Sequence, residues 1–97
     1  MKSTQEYIDL LRAHASELQS QFGISSMFLF GSVARGEQKE DSDIDVLVEM
    51  PATLREYGGA QVYLEKLLGC SVDLIRKHKY LNNLFIKQIS KDAISVF

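Results

Sequence analysis

Two carboxylates in this 97-residue chain stand at a spacing suited to chemistry. Asp43 and Asp45 flank Ile44 at the start of an apolar, β-branched run, Ile44 to Glu49. Side chains two apart in a strand point to the same face. Two carboxylates so placed repel each other, and a cation between them relieves the repulsion. Carboxylate oxygens are hard ligands, so Mg²⁺ or Mn²⁺ suits the pair better than zinc. The plain alternative is an Asp-rich turn ahead of a strand.

A second feature is Gly31-Ser32, directly after the apolar run Ile24 to Phe30. A glycine there lets a phosphate approach the backbone closely. Ser32 and the amides that follow can donate to phosphate oxygens, helped if Ser32 to Gly36 forms one helical turn. Arg35 adds a cation nearby. The alternative is a tight turn that happens to hold a Gly and an Arg. The third feature is Asp73 in S-V-D-L-I, Ser71 to Ile75. An unpaired buried carboxylate is costly. Asp73 therefore either faces solvent on an edge strand or lies beside Asp43 and Asp45. In the second position it can share a metal or take a proton from an attacking hydroxyl.

The elements that must position these groups are legible from period and punctuation. S-T-Q-E at Ser3 to Glu6 is a capping-box pattern. Ile8, Leu11, Ala15, Leu18 and Phe22 follow at helical spacing, and Gly23 is placed to end the helix. One helix is expected from about residue 4 to about residue 22. Ile24 to Phe30 reads as a buried strand, Gly31 to Asp43 as turn and loop, and Ile44 to Glu49 as a second strand closed by Pro51. Thr53 to Glu56 is another capping-box candidate. The helix it opens contains Gly58-Gly59, expected to weaken or bend it, and stops at Gly69. Ser71 to Ile75 is a third strand. Tyr80 to Ser90 reads as a helix with Leu81, Leu84, Phe85 and Ile89 on its apolar face. Ala93 to Phe97 either extends that helix or docks as an edge strand. The fold expected is α+β, a small mixed sheet with helices packed on it, in one domain over residues 1–97.

Composition narrows the function classes. The hydrophobic fraction is 45% and the charged fraction 25%, as for an ordinary globular domain. A formal charge of −2 argues against a broad basic surface that grips duplex nucleic acid, while leaving single-nucleotide binding open. Cys70 is the sole cysteine, so no internal disulfide forms and a reducing compartment is expected. The N-terminus has no apolar signal core, and no apolar run suffices to span a bilayer. The expectation is a cytoplasmic protein without membrane attachment. His14, His78 in the short basic run Arg76 to Lys79, and Cys70 have structural readings. Leu81, Leu84 and Phe85 read as core, or as partner contacts if the last helix is half exposed.

Taken together, Gly31-Ser32, ten intervening residues and Asp43-Ile44-Asp45 resemble the signature of the DNA polymerase β-type nucleotidyltransferase superfamily. The string from Gly31 to Val48 is similar to the pattern of its minimal nucleotidyltransferase branch, and V-D-L-I, Val72 to Ile75, matches the position of that branch's third carboxylate. The resemblance implies a polymerase β-like core. It implies that Gly31 and Ser32 hold the β- and γ-phosphates of ATP, and that Asp43 and Asp45 hold two Mg²⁺ ions. Asp73 would be third ligand and base. Ser42 would orient the carboxylates, and Arg35 would contact phosphate or brace the loop. The branch includes antitoxins paired with small helical HEPN ribonuclease toxins, and the implied reaction is AMP transfer from ATP to a toxin tyrosine hydroxyl. Two other functions remain open at this point: a non-catalytic module that covers its partner, and nucleotidyl transfer to a small molecule or RNA end. No acceptor-gripping domain is expected in so short a chain.

Overall fold

Ser3 starts the first helix as its sequence predicts. Ser3 Oγ accepts the Glu6 amide at 3.1 Å, and Glu6 Oε1 accepts the Ser3 amide at 2.9 Å. The expected single helix is broken in two: α1 is Thr4–Ala13 and α2 is Ala15–Phe22. His14 sits between them with φ −108° and ψ 13°. Its Nδ1 lies 2.9 Å from the Leu10 carbonyl, and its amide goes to the Leu11 carbonyl at 3.1 Å. The imidazole thus takes the acceptor that the backbone amide would have used, which breaks the ladder without Gly or Pro. Gly23 ends α2 at φ 69°, as expected.

The computed structural model describes residues 1–78 and 81–97. After α2 come β1 (Ser26–Phe30), α3 (Gly31–Ala34), β2 (Ile44–Glu49), α4 (Leu54–Leu68), β3 (Val72–Arg76), α5 (Asn83–Ser90) and β4 (Ile94–Ser95). The sheet order is β3-β2-β1-β4. β2 and β3 are parallel; β1 pairs antiparallel with both β2 and β4. The sheet is therefore mixed, as expected. The C-terminal tail resolves to an edge strand, not a helical extension. Arg12 fastens it, donating from Nε to the Val96 carbonyl at 2.8 Å and from its terminal nitrogen to the Ser95 carbonyl at 3.2 Å.

Strand alternation divides the sheet into unlike faces. Met27, Leu29, Ile44, Val46, Val48, Val72 and Leu74 point to one side, where Ile8 and Leu11 of α1, Leu18 of α2 and Ala60, Leu64 and Leu68 of α4 bury them. Phe28, Phe30, Asp45, Leu47, Asp73 and Ile75 share the other side. There α5 lies across the sheet, its Phe85 ring meeting Phe30 edge-on at 6.3 Å between centroids. No residue of α5 is buried, Leu84 is 63% exposed, and Leu81 and Phe85 are half-buried, so the core role expected for these three is corrected and the half-exposed helix on which the alternative depended is what the structure has. The helix also starts later than expected, at Asn83, because Asn82 Oδ1 caps it on the Leu84 amide at 2.7 Å. Leu81 precedes it, and the expected start at Tyr80 lies outside the described residues.

α4 corrects two further expectations. Thr53 is its N-cap residue, yet the hydroxyl bonds to the Glu56 carboxylate and makes no side-chain bond to the helix backbone. Gly58-Gly59 does not interrupt the helix. A Cβ at Gly59 would lie 3.0 Å from the Phe22 ring, so glycine there lets α2 and α4 approach closely. A Cβ at Gly58 would meet nothing within 4 Å. Gly58→Ala is therefore expected to stabilise the fold by about 0.5–1 kcal/mol through helix propensity alone. Gly59→Ala should gain less or lose stability, because its methyl presses on Phe22. Thermal unfolding followed by circular dichroism checks the pair; equal shifts would contradict the packing account.

Candidate active site

The site begins where β1 ends. Phe30 is extended, and Gly31 opens α3 with φ 72°, in the left-handed region that disfavours side chains. A Cβ on Gly31 would stand only 2.1 Å from Asp45 Oδ2. The Asp45 carboxylate therefore lies against the glycine backbone, in space that any other residue would fill. The contact follows from the ladder, since Phe30 and Asp45 are direct partners across β1 and β2. The turn is pinned from elsewhere as well. Val33 is fully buried, and Thr4 Oγ1 donates to its carbonyl at 2.5 Å. The expected turn at Ser32 to Gly36 is thus a helical turn starting one residue earlier. The first amides of such a turn have no acceptor within it, and they are suited to an anion.

Asp43 stands just before β2 and is exposed, while Asp45 lies within the strand and is half-buried. Ile44 and Val46 point into the core, as the alternation predicts. Asp73 on β3 is exposed and pairs in register with Asp45 across the parallel ladder. The structure thus brings the third carboxylate beside the pair, on an edge strand that also keeps it in water. Both sequence readings of Asp73 hold together.

Electrostatics record the crowding. Burial pushes the Asp45 carboxyl above its ordinary value of 3.8, the charges of Asp73 and then Asp43 push it further, and a hydrogen bond with the Asp73 carboxyl adds to this; Arg35 pulls weakly the other way. Among the described residues no three His, Cys, Asp or Glu side chains converge to enclose an ion by themselves. The donor set still fits a hard divalent cation. Mg²⁺ is commonly held by one or two carboxylates with nucleotide phosphates completing its shell, and Asp45 touches the turn suited to those phosphates.

Two other expected site residues act one step back. Ser42 Oγ accepts the Lys39 amide at 2.8 Å, and the Ser42 amide goes to the Lys39 carbonyl at 3.0 Å. It closes the turn that delivers Asp43; its expected contact with the carboxylates is not what the structure contains. Arg35 Nε pairs with Glu37 at 3.1 Å and its terminal nitrogen with Asp92 at 3.3 Å. Of the two roles left open for Arg35, this geometry is the brace. Asp92, beyond α5, was not singled out in the sequence, and nothing local to it signals this partner.

A phosphate-ready turn and carboxylates suited to a hard cation meet here at one contact, and the chemistry that needs both is transfer of a nucleotidyl group. The fold is that of a polymerase β-like nucleotidyltransferase core. The chain belongs to the nucleotidyltransferase domain family, which matches residues 11–96, and to its minimal branch. A Methanocaldococcus jannaschii protein provisionally named a protein adenylyltransferase is 43% identical over 99% of this chain and 100% of its own length. The protein adenylyltransferase MntA of Thermococcus cleftensis is 39% identical over 99% of this chain and 98% of its own. A solved structure described, again provisionally, as a minimal nucleotidyltransferase superimposes with a TM-score of 0.78 at 33% identity, covering 96% of this chain and 95% of that one. A Shewanella oneidensis complex of a tri-AMPylated HEPN toxin with its MNT antitoxin matches with a TM-score of 0.66 at 18% identity, over 97% of this chain and 71% of that one; this likeness is one of fold.

Gly31→Ala is expected to destabilise the protein by more than about 1 kcal/mol, through positive φ and collision with Asp45. It should also abolish nucleotide binding measured by calorimetry; unchanged binding would contradict the contact. The raised Asp45 carboxyl fixes the sign of a pH effect. The folded chain holds this proton more tightly than the unfolded chain, so the contribution favours the fold near and below pH 3.8 and is lost as pH rises through the raised value. In chelator, Asp45→Asn should therefore gain in melting temperature relative to wild type as pH rises above 3.8. Added Mg²⁺ should stabilise wild type and narrow the gap. A gap constant with pH would contradict the crowding of Asp45.

Proposed function

We propose that the chain transfers the adenylyl group of ATP to a tyrosine hydroxyl on a HEPN-type ribonuclease toxin, and so acts as that toxin's antitoxin. The observation that carries this reading is the contact of Asp45 with Gly31, with Asp73 in register beside Asp45. It brings the Gly31 turn and the carboxylates of Asp45 and Asp73 into one small region, which supports that reading. The names of the relatives support the adenylyl group, and the AMPylated toxin in the Shewanella oneidensis complex supports a protein acceptor of the HEPN type.

Gly31 and Ser32 would hold the β- and γ-phosphates through the turn's amides and the Ser32 hydroxyl. Asp43 and Asp45 would hold Mg²⁺, two ions in the full site, with Asp73 as third ligand and Mn²⁺ as a substitute. When bound, the metal neutralises charge on the entering and leaving oxygens. Asp73 would take the proton from the acceptor hydroxyl. The acceptor oxygen forms a bond to the α-phosphorus, the bond from that phosphorus to the bridging oxygen of the β-phosphate breaks, and pyrophosphate leaves. Arg35, seen as a brace, would also be close enough to the turn to add positive charge to it.

The acceptor would arrive on the partner. α5 offers an exposed apolar surface at Leu84 for that contact. No helix among the described residues is long and apolar enough to cross a membrane. With the lone, free Cys70, that fits action in the cytoplasm.

Purified protein with Mg²⁺ and labelled ATP is expected to label a co-purified HEPN partner on tyrosine. Asp43→Ala and Asp45→Ala should each lower labelling by at least about 10³-fold, in line with removal of a metal-bound transition-state contact. Both should also lose protection of cells against the toxin. Protection that survives both substitutions would favour the non-catalytic module. Label found on a small molecule or RNA end, read by mass spectrometry, would replace the acceptor.

A further inference from the structure

The sheet ends at β3, so one edge of that strand has no neighbouring strand. Such an edge leaves backbone groups without ladder partners. Here α4 meets them with side chains. Tyr57, Gln61 and Glu65 stand at i, i+4 and i+8, on one stripe of the helix. The Tyr57 hydroxyl donates to the Leu74 carbonyl. Gln61 Nε2 donates to the Val72 carbonyl at 2.5 Å, and Glu65 Oε2 accepts the Val72 amide at 3.1 Å.

Asp73 is the residue between the two so held. Asp73 itself pairs with β2, while the α4 stripe holds the residues on either side of it, and its carboxylate stays exposed. Burial of α4 does not account for the stripe, since Ala60, Leu64 and Leu68 supply the helix's buried contacts. Register at this strand matters more than elsewhere. A slip of one residue would turn Asp73 to the helix-covered face and a core valine or leucine toward the site. The parallel β2–β3 pair resists such a slip less well than an antiparallel one.

We infer that Tyr57, Gln61 and Glu65 are positioning residues that lock β3 in register and so hold the Asp73 carboxylate beside Asp45 for the transfer step. This rests on the proposed role of Asp73 as base and third ligand. The Tyr57 phenol is pushed up by burial and then by the charge of Asp73. A groove of about 440 Å³, lined by Leu54, Tyr57, Leu74, Arg76, His78 and Leu81, opens beside this bond. Removing the phenol hydroxyl would let water compete at the Leu74 carbonyl and loosen the strand locally.

The test uses Tyr57→Phe and Gln61→Met against a control, Leu54→Ala, which alters a side chain that is 86% exposed on the same helix. Hydrogen exchange of the 72–74 amides, the Asp73 carboxyl carbon shift, and kcat and KM for adenylyl transfer are read well below the melting temperature. Tyr57→Phe and Gln61→Met should each speed exchange and lower kcat by about tenfold or more, with KM for ATP held within about twofold, because the Gly31-Ser32 turn is untouched. Leu54→Ala should match wild type. Faster exchange with unchanged kcat would overturn the inference and leave edge protection as the stripe's purpose. Equal loss in Leu54→Ala would also overturn it. If wild type transfers no adenylyl group, the functional reading fails by itself. The Asp73 shift then decides the positioning: displaced in Tyr57→Phe supports it, unmoved overturns it.

Discussion

The Asp45 carboxylate rests against the bare backbone of Gly31, and the rest of the site is arranged around that contact. It requires a residue without a Cβ at φ 72°, which only glycine tolerates without strain. It requires β1 and β2 in their observed register, with Phe30 opposite Asp45. That register is enforced from behind. Ile44, Val46 and Val48 are fully buried, and a one-residue slip would exchange them with the carboxylates. Burial of about three β-branched side chains, at about 1.5–3 kcal/mol each, outweighs any preference of the acidic groups for another arrangement.

The two sides of the sheet carry different burdens. One is closed by α1, α2 and α4 over fully buried aliphatic side chains and supplies the stability. The other holds Asp45 and Asp73 and is crossed, among the described residues, by α5, none of whose residues is buried. The crowding of carboxylates costs stability, as the raised Asp45 carboxyl shows, and the apolar side offsets it. A small domain has little surplus for such a cost, which explains why the loop between the two motifs is tied at several points. Thr4 holds the turn from α1, Ser42 closes the approach to Asp43, and Arg35 links the turn to Asp92. The Arg35 pairs are exposed and contribute little energy each; their value is in limiting where the loop can go.

This division also fits an enzyme whose acceptor comes on another molecule. Asp43 and Asp73 are exposed at the strand ends, while the residues that fix them lie beneath or behind.

Much of this was legible from local pattern. Alternation assigned Ile44 and Val46 inward and Asp45 outward, and β2 has the expected bounds. S-T-Q-E and Gly23 marked real helix ends. Gly31-Ser32 and the Asp43–Asp45 pair were evident because their types and spacing are strictly local facts, as is the odd presence of Asp73 in an apolar strand. The family resemblance rests on the same residues. What local pattern could not reach was anything set by a distant partner. The break at His14 depends on one imidazole taking the Leu10 carbonyl. Gly58-Gly59 stays helical, with Gly59 set close against Phe22 of α2. Leu84 shows helical apolar spacing yet faces solvent, since α5 lies on a face with few contacts to offer. Arg35 found Asp92, and the tail became an edge strand under Arg12. Above all, the sequence by itself determined the types and spacing of Gly31, Ser32, Asp43, Asp45 and Asp73. Only the tertiary structure decided that Asp45 touches Gly31 and faces Asp73, because strand order and register follow from how the whole apolar face is buried.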